Sequence, residues 1–548
     1  MCIRIIGSGK TPVYSRIRAF VQAGSPTLVV ALFATLLSGC SHPTASSRPR
    51  VAMPAPPDNR GEILAADQML QRGCYDCLRE ALTRYETLQT DPALGAQARD
   101  SAVRTAVLIA LRETELGLAH GASIERARQL LGPVERASPE LPALVDIAEV
   151  VANGPTGFTR AATTDAQLAA IVTVARSQEQ WATVLRNLMP QDLTAAYLWL
   201  GLACGPYGST FPDHDKRETV IGGLSDSPLI EFKTLTACGL TASEPLEAEL
   251  AVEPRFREIN YHLGLFALGG QTGRAPDLDG ADVRFRAAYE WRQDWPTLTL
   301  AIANVAMSAE DFPKAFDFYN RTLALATDDA DALAGTIRAL TYSNRHAEAI
   351  AAADRLLATG RNPGEAHYWR AMNLARLKQD DQAWVDVEQA ANSLANSDVP
   401  KLAGILAINR RDFAVARQRL ELAYLRRRTD CETGYYLQSV LSEQRDWQDA
   451  ARVAGETGAC FEKEDANIQE ELATVRASLM APERRARLIA RREQQLASDA
   501  RMRAAAWFNA AAANFNLARV DEARGFAEKV VDDSFYGERA RLLIERLK

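Results

Sequence analysis

Ala281-Asp282-Val283-Arg284-Phe285, Ala315-Phe316-Asp317-Phe318-Tyr319, Ala349-Ile350-Ala351-Ala352-Ala353 and Ala383-Trp384-Val385-Asp386-Val387 begin 34 residues apart. Ala416 and Ala450 continue the series at steps of 33 and 34. A fixed period of that length marks stacked helical hairpins, each shielding its apolar side against the next. Around each beat the apolar residues keep helical spacing. Three residues earlier stand Leu278, Phe312, His346, Asp380, Phe413 and Trp447, where one helix should turn into the next. Four residues later stand Phe285, Tyr319, Ala353, Val387, Leu420 and Ala454, one turn along the same face. The beat residue must be small because two helices cross there, and overpacking a crossing costs roughly 1–3 kcal/mol. The preceding helices offer Leu263-Gly264, Ala303, Leu374 and Gly404 to the same crossings.

These residues resemble the tetratricopeptide repeat family over roughly 258–460. A further unit at 500–531 has Trp507 opening its first helix, Ala511 at the crossing and Ala523 on the second helix. The interval between Ala450 and Ala523 leaves room for a divergent hairpin at roughly 465–478 and 482–496. The chain departs from the family in mostly lacking the proline that ends each unit, and in placing His346 and Asp380 where an aromatic is usual. Before residue 258 the metre fades but helical spacing persists, from Gly73-Cys74-Tyr75 with Leu78, Ala81, Leu82 and Tyr85 through segments to 203. No alternating β-branched run predicts a strand. The expected fold is all-α: a solenoid of helix-turn-helix repeats, divergent over 61–257, regular over 258–460, and closing at 461–548 with a divergent hairpin and one more repeat.

At the N-terminus Arg4, Lys10, Arg16 and Arg18 precede an apolar stretch from Leu28 to Leu37, followed by Ser38-Gly39-Cys40. This reads as a secretory signal peptide over 1–39. Its end resembles the lipobox of lipoproteins from Gram-negative-type bacteria, which implies that Cys40 becomes the lipidated N-terminus. Ser41 after the cysteine favours, by the same resemblance, the outer membrane facing the periplasm. The apolar stretch is shorter than the roughly 20 residues that span a bilayer. Acyl chains contribute about 0.8 kcal/mol per buried CH₂, so two or three anchor stably. Pro43, Pro49, Pro54, Pro56 and Pro57 lie among small and polar residues up to 60, a composition that makes an extended tether.

The formal net charge is −7. Residues 1–39 hold four basic and no acidic residues, so −7 less those four positive charges leaves −11 from Cys40 onward. That acidity argues against general nucleic-acid binding. Local exceptions are Arg426–Arg428 and the row Arg484, Arg485, Arg487, Arg491 and Arg492. Such a row reads as a solvated helix face, or as a contact for anionic lipid or an acidic partner. Beyond Cys2 and Cys40, six cysteines remain, an even number suited to disulfides in an oxidising compartment. Connectivity is not fixed by sequence. Cys431 and Cys460 should lie together at the open end of one hairpin, Cys74 and Cys77 are three apart at a helix start, and Cys204 with Cys238 follows by elimination. The Cys74-x-x-Cys77 pair lacks the βαβ setting of thioredoxin-like redox chemistry, and no second Cys or His pair completes a zinc site.

Catalytic motifs are sparse. Gly7-Ser8-Gly9-Lys10-Thr11 lacks the first glycine of a phosphate loop, since Arg4 stands there. Of six histidines, only His214 lies in a charged cluster, between Asp213 and Asp215. No nucleophile elbow or His-Glu-x-x-His helix occurs. No catalytic residue, metal or cofactor is expected. The family resemblance implies instead a concave surface, lined by the first helix of each hairpin, that holds peptides or protein segments. Carried over position by position, its inward residues are Arg338, Tyr342, Tyr368, Met372, Arg376, Lys401, Asn409 and Tyr435. The expectation is a non-catalytic adaptor that binds protein partners of the cell envelope, without nucleic acid. Two alternatives stand beside it: a helical periplasmic partner of a solute transporter, which needs a closed apolar cavity, and an enzyme with a site in 150–257 near Cys204 and Asp213–Asp215.

Overall fold

The computed structural model describes residues 59–132, 140–154, 165–189, 192–205, 210–213, 222, 224, 227–239, 242–269 and 276–548. The signal segment, Cys40, the proline-rich tether, His214 and Asp215 lie outside these residues. No strand occurs among the described residues. The fold is all-α, a solenoid of helical hairpins.

The regular part is built of six hairpins: α10 (Ile259–Ala267) with α11 (Leu278–Trp291), α12 (Pro296–Ser308) with α13 (Phe312–Leu325), and α14 (Ala330–Tyr342) with α15 (His346–Ala358). Then follow α16 (Pro363–Arg376) with α17 (Asp380–Ala391), α18 (Asp398–Asn409) with α19 (Phe413–Arg426), and α20 (Cys431–Glu443) with α21 (Trp447–Ala477). Each helix packs on the next, and from α12 to α20 each first helix also touches the first helix of the following hairpin. The beat residues Ala281, Ala315, Ala349, Ala383 and Ala416 are fully buried, and Ala450 nearly so. Close approach is strict. A Cβ on Gly335 would lie 2.1 Å from the Tyr319 ring, and one on Gly264 2.4 Å from Phe285.

Hairpin turns repeat with the same metre. Glu310, Asn344, Lys378, Arg411 and Arg445 each take a left-handed φ between 56° and 62°. The amide of the next residue then closes back onto the helix just ended: Asp311 to Ala306 O at 2.8 Å, Arg345 to Leu340 O at 2.9 Å, and Asp446 to Leu441 O at 3.0 Å. This is the 6→1 bond of a Schellman turn. At three turns the same next residue caps the second helix: the carboxylates of Asp311, Asp412 and Asp446 accept from the amides of Lys314, Val415 and Asp449.

One feature departs from expectation. The helix that begins at Trp447 runs unbroken to Ala477, and α22 runs from Pro482 to Asn516. No glycine or proline interrupts 461–477 or 483–516, so the expected hairpin of 465–478 and 482–496 is fused to its neighbours. The result is one long antiparallel pair, followed by the short helices α23 (Val520–Glu528) and α24 (Gly537–Arg546). Gly458 lets Trp507 lie against α21; a Cβ there would sit 2.5 Å from the indole.

At 257/258, where the metre begins, the packing is continuous. The preceding helices are α1 (Arg60–Arg72), α2 (Tyr75–Leu88), α3 (Gly95–Glu115), α4 (Gly121–Leu131), α5 (Leu141–Ala152), α6 (Asp165–Leu188), α7 (Leu193–Cys204), α8 (Pro228–Cys238) and α9 (Glu244–Val252). One apolar cluster runs from Ile63 to Val305, through both sides of that position. The indole N–H of Trp291 also donates to Asp76 at 2.9 Å, across 215 residues of sequence. Disulfides join Cys74 to Cys77, Cys204 to Cys238 across α7 and α8, and Cys431 to Cys460 across α20 and α21.

A buried charge network ties this N-terminal block to the array. The Arg112 guanidinium, on α3, donates to Glu115 at 2.8 Å, to the Tyr197 hydroxyl at 3.1 Å, and to Glu258 at 2.9 Å. Arg112 and Glu258 are 1% and 0% exposed. The Tyr75 amide donates to the same Glu258 oxygen at 2.7 Å, and Lys233 donates to Glu115. Phe232 lies under the guanidinium, 4.3 Å from ring centre to carbon. Burial alone would raise the pKa of Glu115, but Lys233 and Arg112 hold it at about 2. His262, edge-on to Phe232 and Tyr261, is lowered to about 3, first by burial and then by Arg112.

Candidate partner-binding surface

The first helices set their exposed residues by the same metre. Tyr342 ends α14 and is half exposed. Its ring stacks on Phe312 at 5.0 Å and meets the Trp369 edge at 6.0 Å; Trp369 in turn meets Tyr368 at 5.4 Å. A row of four rings therefore crosses three successive hairpins. Tyr368 is partly buried against the cluster of Ala371, Leu374 and Leu402, and burial with nearby Asp398 pushes its hydroxyl pKa up. On α20, Tyr435 packs edge-on to Tyr436 at 5.5 Å. Tyr436 is raised by burial and by Glu432, and feels Arg376 as well. Glu432 also acts on Tyr368, so the two aromatic groups share one electrostatic neighbourhood.

The remaining predicted residues divide. Lys401 is committed within the molecule, bound to Asp430 at 3.0 Å and to Glu432 at 2.5 Å. Burial would lower its pKa, yet these carboxylates raise it, so it stays an ammonium. Arg376 is exposed and enters no ion pair among the described residues. Arg338 is partly buried, with Nε bonded to Ala334 O at 3.4 Å. Met372 packs against the same apolar cluster as Tyr368. Asn409 is exposed at the end of α18. Sequence reasoning missed Phe312, Trp369, Tyr436 and Glu432. Trp369 and Tyr436 directly follow two predicted tyrosines, and a search for clustered aromatics would have found them.

The fused pair α21–α22 reaches this surface from the far end of the array. Its connection, at 478–481, lies against the first hairpins: the Ala481 amide donates to Asp279 at 3.1 Å. Arg484 pairs with Asp279 at 3.3 Å, Arg487 with Asp311 at 3.3 Å, and Arg491 and Arg492 with Glu310 at 3.4 and 3.0 Å. Arg491 also sits 4.1 Å over the Phe312 ring, on the residue that stacks with Tyr342. Four of the five arginines expected to be solvated, or to meet an outside acid, find their acids within the chain, and Arg485 donates to Ser478 O at 3.0 Å.

Elsewhere the chemistry is thin. Asp213 is paired with Arg186. Among the described residues, no three His, Cys, Asp or Glu side chains converge as metal ligands, and no helix is long and apolar enough to cross a membrane. A recess of about 380 Å³ is lined by Asp328, Leu333, Arg355, Ala358, Thr359 and Arg361, a polar and open setting unlike a closed apolar cavity.

No protein-family model matches the chain, and no curated protein matches it in sequence. Solved structures do. PilF of Pseudomonas aeruginosa aligns with 36% of this chain and 88% of its own at 19% identity, TM-score 0.32. PilW, described as a widely conserved type IV pilus biogenesis factor, aligns with 37% of this chain and 92% of its own at 17% identity, TM-score 0.33. The Cut9–Hcn1 structure of the APC/C aligns with 90% of this chain and 96% of its own at 12% identity, TM-score 0.37. All three are likenesses of helical architecture, and scores of this size assign neither function nor partner.

Proposed function

We propose that this chain is a non-catalytic adaptor of the cell envelope. It is lipid-anchored through Cys40 in the outer membrane, faces the periplasm, and binds other proteins through the first helices of its hairpins. The binding half rests on one observation, the row Tyr342–Trp369–Tyr368 on the first helices α14 and α16, stacked at one end on Phe312 of α13, with Arg376, exposed and in no ion pair among the described residues, at the end of α16. Aromatic and arginine side chains combine contact area with hydrogen bonding and are enriched where proteins bind one another. Support for the location half comes from Leu37-Ser38-Gly39-Cys40 and from six further cysteines that pair off, as suits an oxidising compartment.

The test is capture of the full chain from crosslinked envelopes, beside a Tyr342→Ala/Arg376→Glu/Tyr435→Ala variant. A reproducible protein partner is expected, with recovery lowered about tenfold or more by the variant. Recovering no reproducible protein overturns the adaptor, and equal recovery with the variant overturns this surface. Palmitate labelling is expected to vanish in Cys40→Ala. Labelling that persists there rejects the anchor.

A further inference from the structure

The long pair α21–α22 is held differently at its two ends. Near its base, Ala450, Ala451, Val453 and Ala513 belong to the same apolar cluster as Ala407, Leu437 and Leu441, and Trp507 packs over Gly458. Toward its tip, Ile468, Leu472, Val475 and Leu488 are buried, yet none belongs to an apolar cluster of the array. The tip meets the first two hairpins through charge. Four arginines face Asp279, Glu310 and Asp311, and among the described residues its one ring contact is the Arg491 cation over Phe312. At the turn itself Leu479 is fully exposed. Ion pairs of partly exposed groups are individually weak and are screened within a few ångströms at high salt, whereas an apolar seam is not.

We propose that α21–α22 is a strap: a helical arm fixed at its base by an apolar seam and latched at its tip by arginines, which closes the array in cis and covers the Phe312 end of the ring row. Release of the latch frees Phe312, which lies buried under Arg491, together with the arginine row. That second step rests on the adaptor reading of the same surface; the latch itself does not.

The experiment follows the tip without any partner. Bioorthogonal spin labels replace the exposed residues Leu479 and Val283 in the full chain, which leaves all cysteines untouched. Distances are read at roughly 0.01 and 1 M salt, where the screening lengths are about 30 and 3 Å. A single narrow short distance is expected at low salt, with a broad, longer population at high salt. Arg484→Glu/Arg491→Glu/Arg492→Glu should show that longer population at both salts. Adding Asp279→Arg and Glu310→Arg, which leaves the Asp311 cap of α13 in place, should restore the short distance at low salt. An unchanged short distance at high salt in the unsubstituted protein overturns the latch and makes the arm a rigid brace. Failure of the added reversals to restore it overturns the assigned pairs. If the latch opens as expected but no protein is captured from envelopes by either form, the adaptor reading fails and the strap stands.

Discussion

The N-terminal block and the regular array are both helical, yet they fill their helix crossings in opposite ways. In the array the crossing is made of almost nothing: buried alanines such as Ala383 and Ala416, and Gly264, Gly335 and Gly404 with Phe285, Tyr319 and Leu420 of the neighbouring helices pressed onto them. Stability there is spread over many small, similar contacts, as in a one-dimensional stack. Where the block joins the array, by contrast, Arg112, Glu115, Tyr197, Lys233 and Glu258 meet from separate parts of the chain in one polar knot. Buried charges of this kind depend on one another for neutralisation, so their energy is concentrated. The contrast is between a structure that degrades gradually and one that fails at a point.

The largest effect should therefore come from Arg112→Met, which leaves Glu258 buried without its cation. A loss of about 3–5 kcal/mol is expected from denaturant titration, with part regained in Arg112→Met/Glu258→Gln. Next comes the staple between α20 and α21. Replacing Cys431 and Cys460 by serine should cost about 2–4 kcal/mol, and the loss should be matched by adding reductant only if the other two bridges contribute little. Ala383→Leu should cost about 1–3 kcal/mol through overpacking at a single crossing. A larger loss for Ala383→Leu than for Arg112→Met would break the contrast.

The smallest effect is a pH dependence at the junction of block and array, where His262 of α10 lies against Phe232. His262 goes from its usual 6.5 to about 3 in the fold. Below pH 6.5 the unfolded chain takes up a proton that the folded one refuses, so stability falls as pH drops from 6.5 toward 3. Between about pH 7 and 5.5 the loss should be on the order of 1 kcal/mol, and His262→Gln should flatten it. Glu115 adds a second window: its stabilisation is complete above its usual 4.5 and disappears as pH falls toward 2. An identical slope in the His262→Gln variant would remove the histidine from this account.

The same contrast explains what could be read in advance. The array was legible because a crossing that admits only a small residue writes an alanine at every beat. Its turns were less so, since Glu310, Lys378 and Arg411 take the left-handed conformation that normally points to glycine. The knot left no local trace: Arg112, Glu115, Tyr197 and Lys233 are ordinary polar residues on helices, and Glu258 one in a turn, until folding brings them together. Within the proposed surface, Tyr342, Tyr368 and Tyr435 are named by position in the repeat. Lys401 was assigned a free role that Asp430 and Glu432 already occupy. The arginine row was read as solvated because its acids lie about 200 positions upstream, beyond any periodic argument.

The length of α22 has one more consequence. Its 35 residues at 1.5 Å each make a rod about 52 Å long. A solenoid can ordinarily gain or lose units by duplication, since every unit meets only its neighbours. Here an extra hairpin would displace Asp279 and Glu310 by about 10 Å or more, the spacing of packed helices, beyond the grasp of Arg484 and Arg492. The rod thus acts as a gauge, tying the number of units between the two ends to its own span.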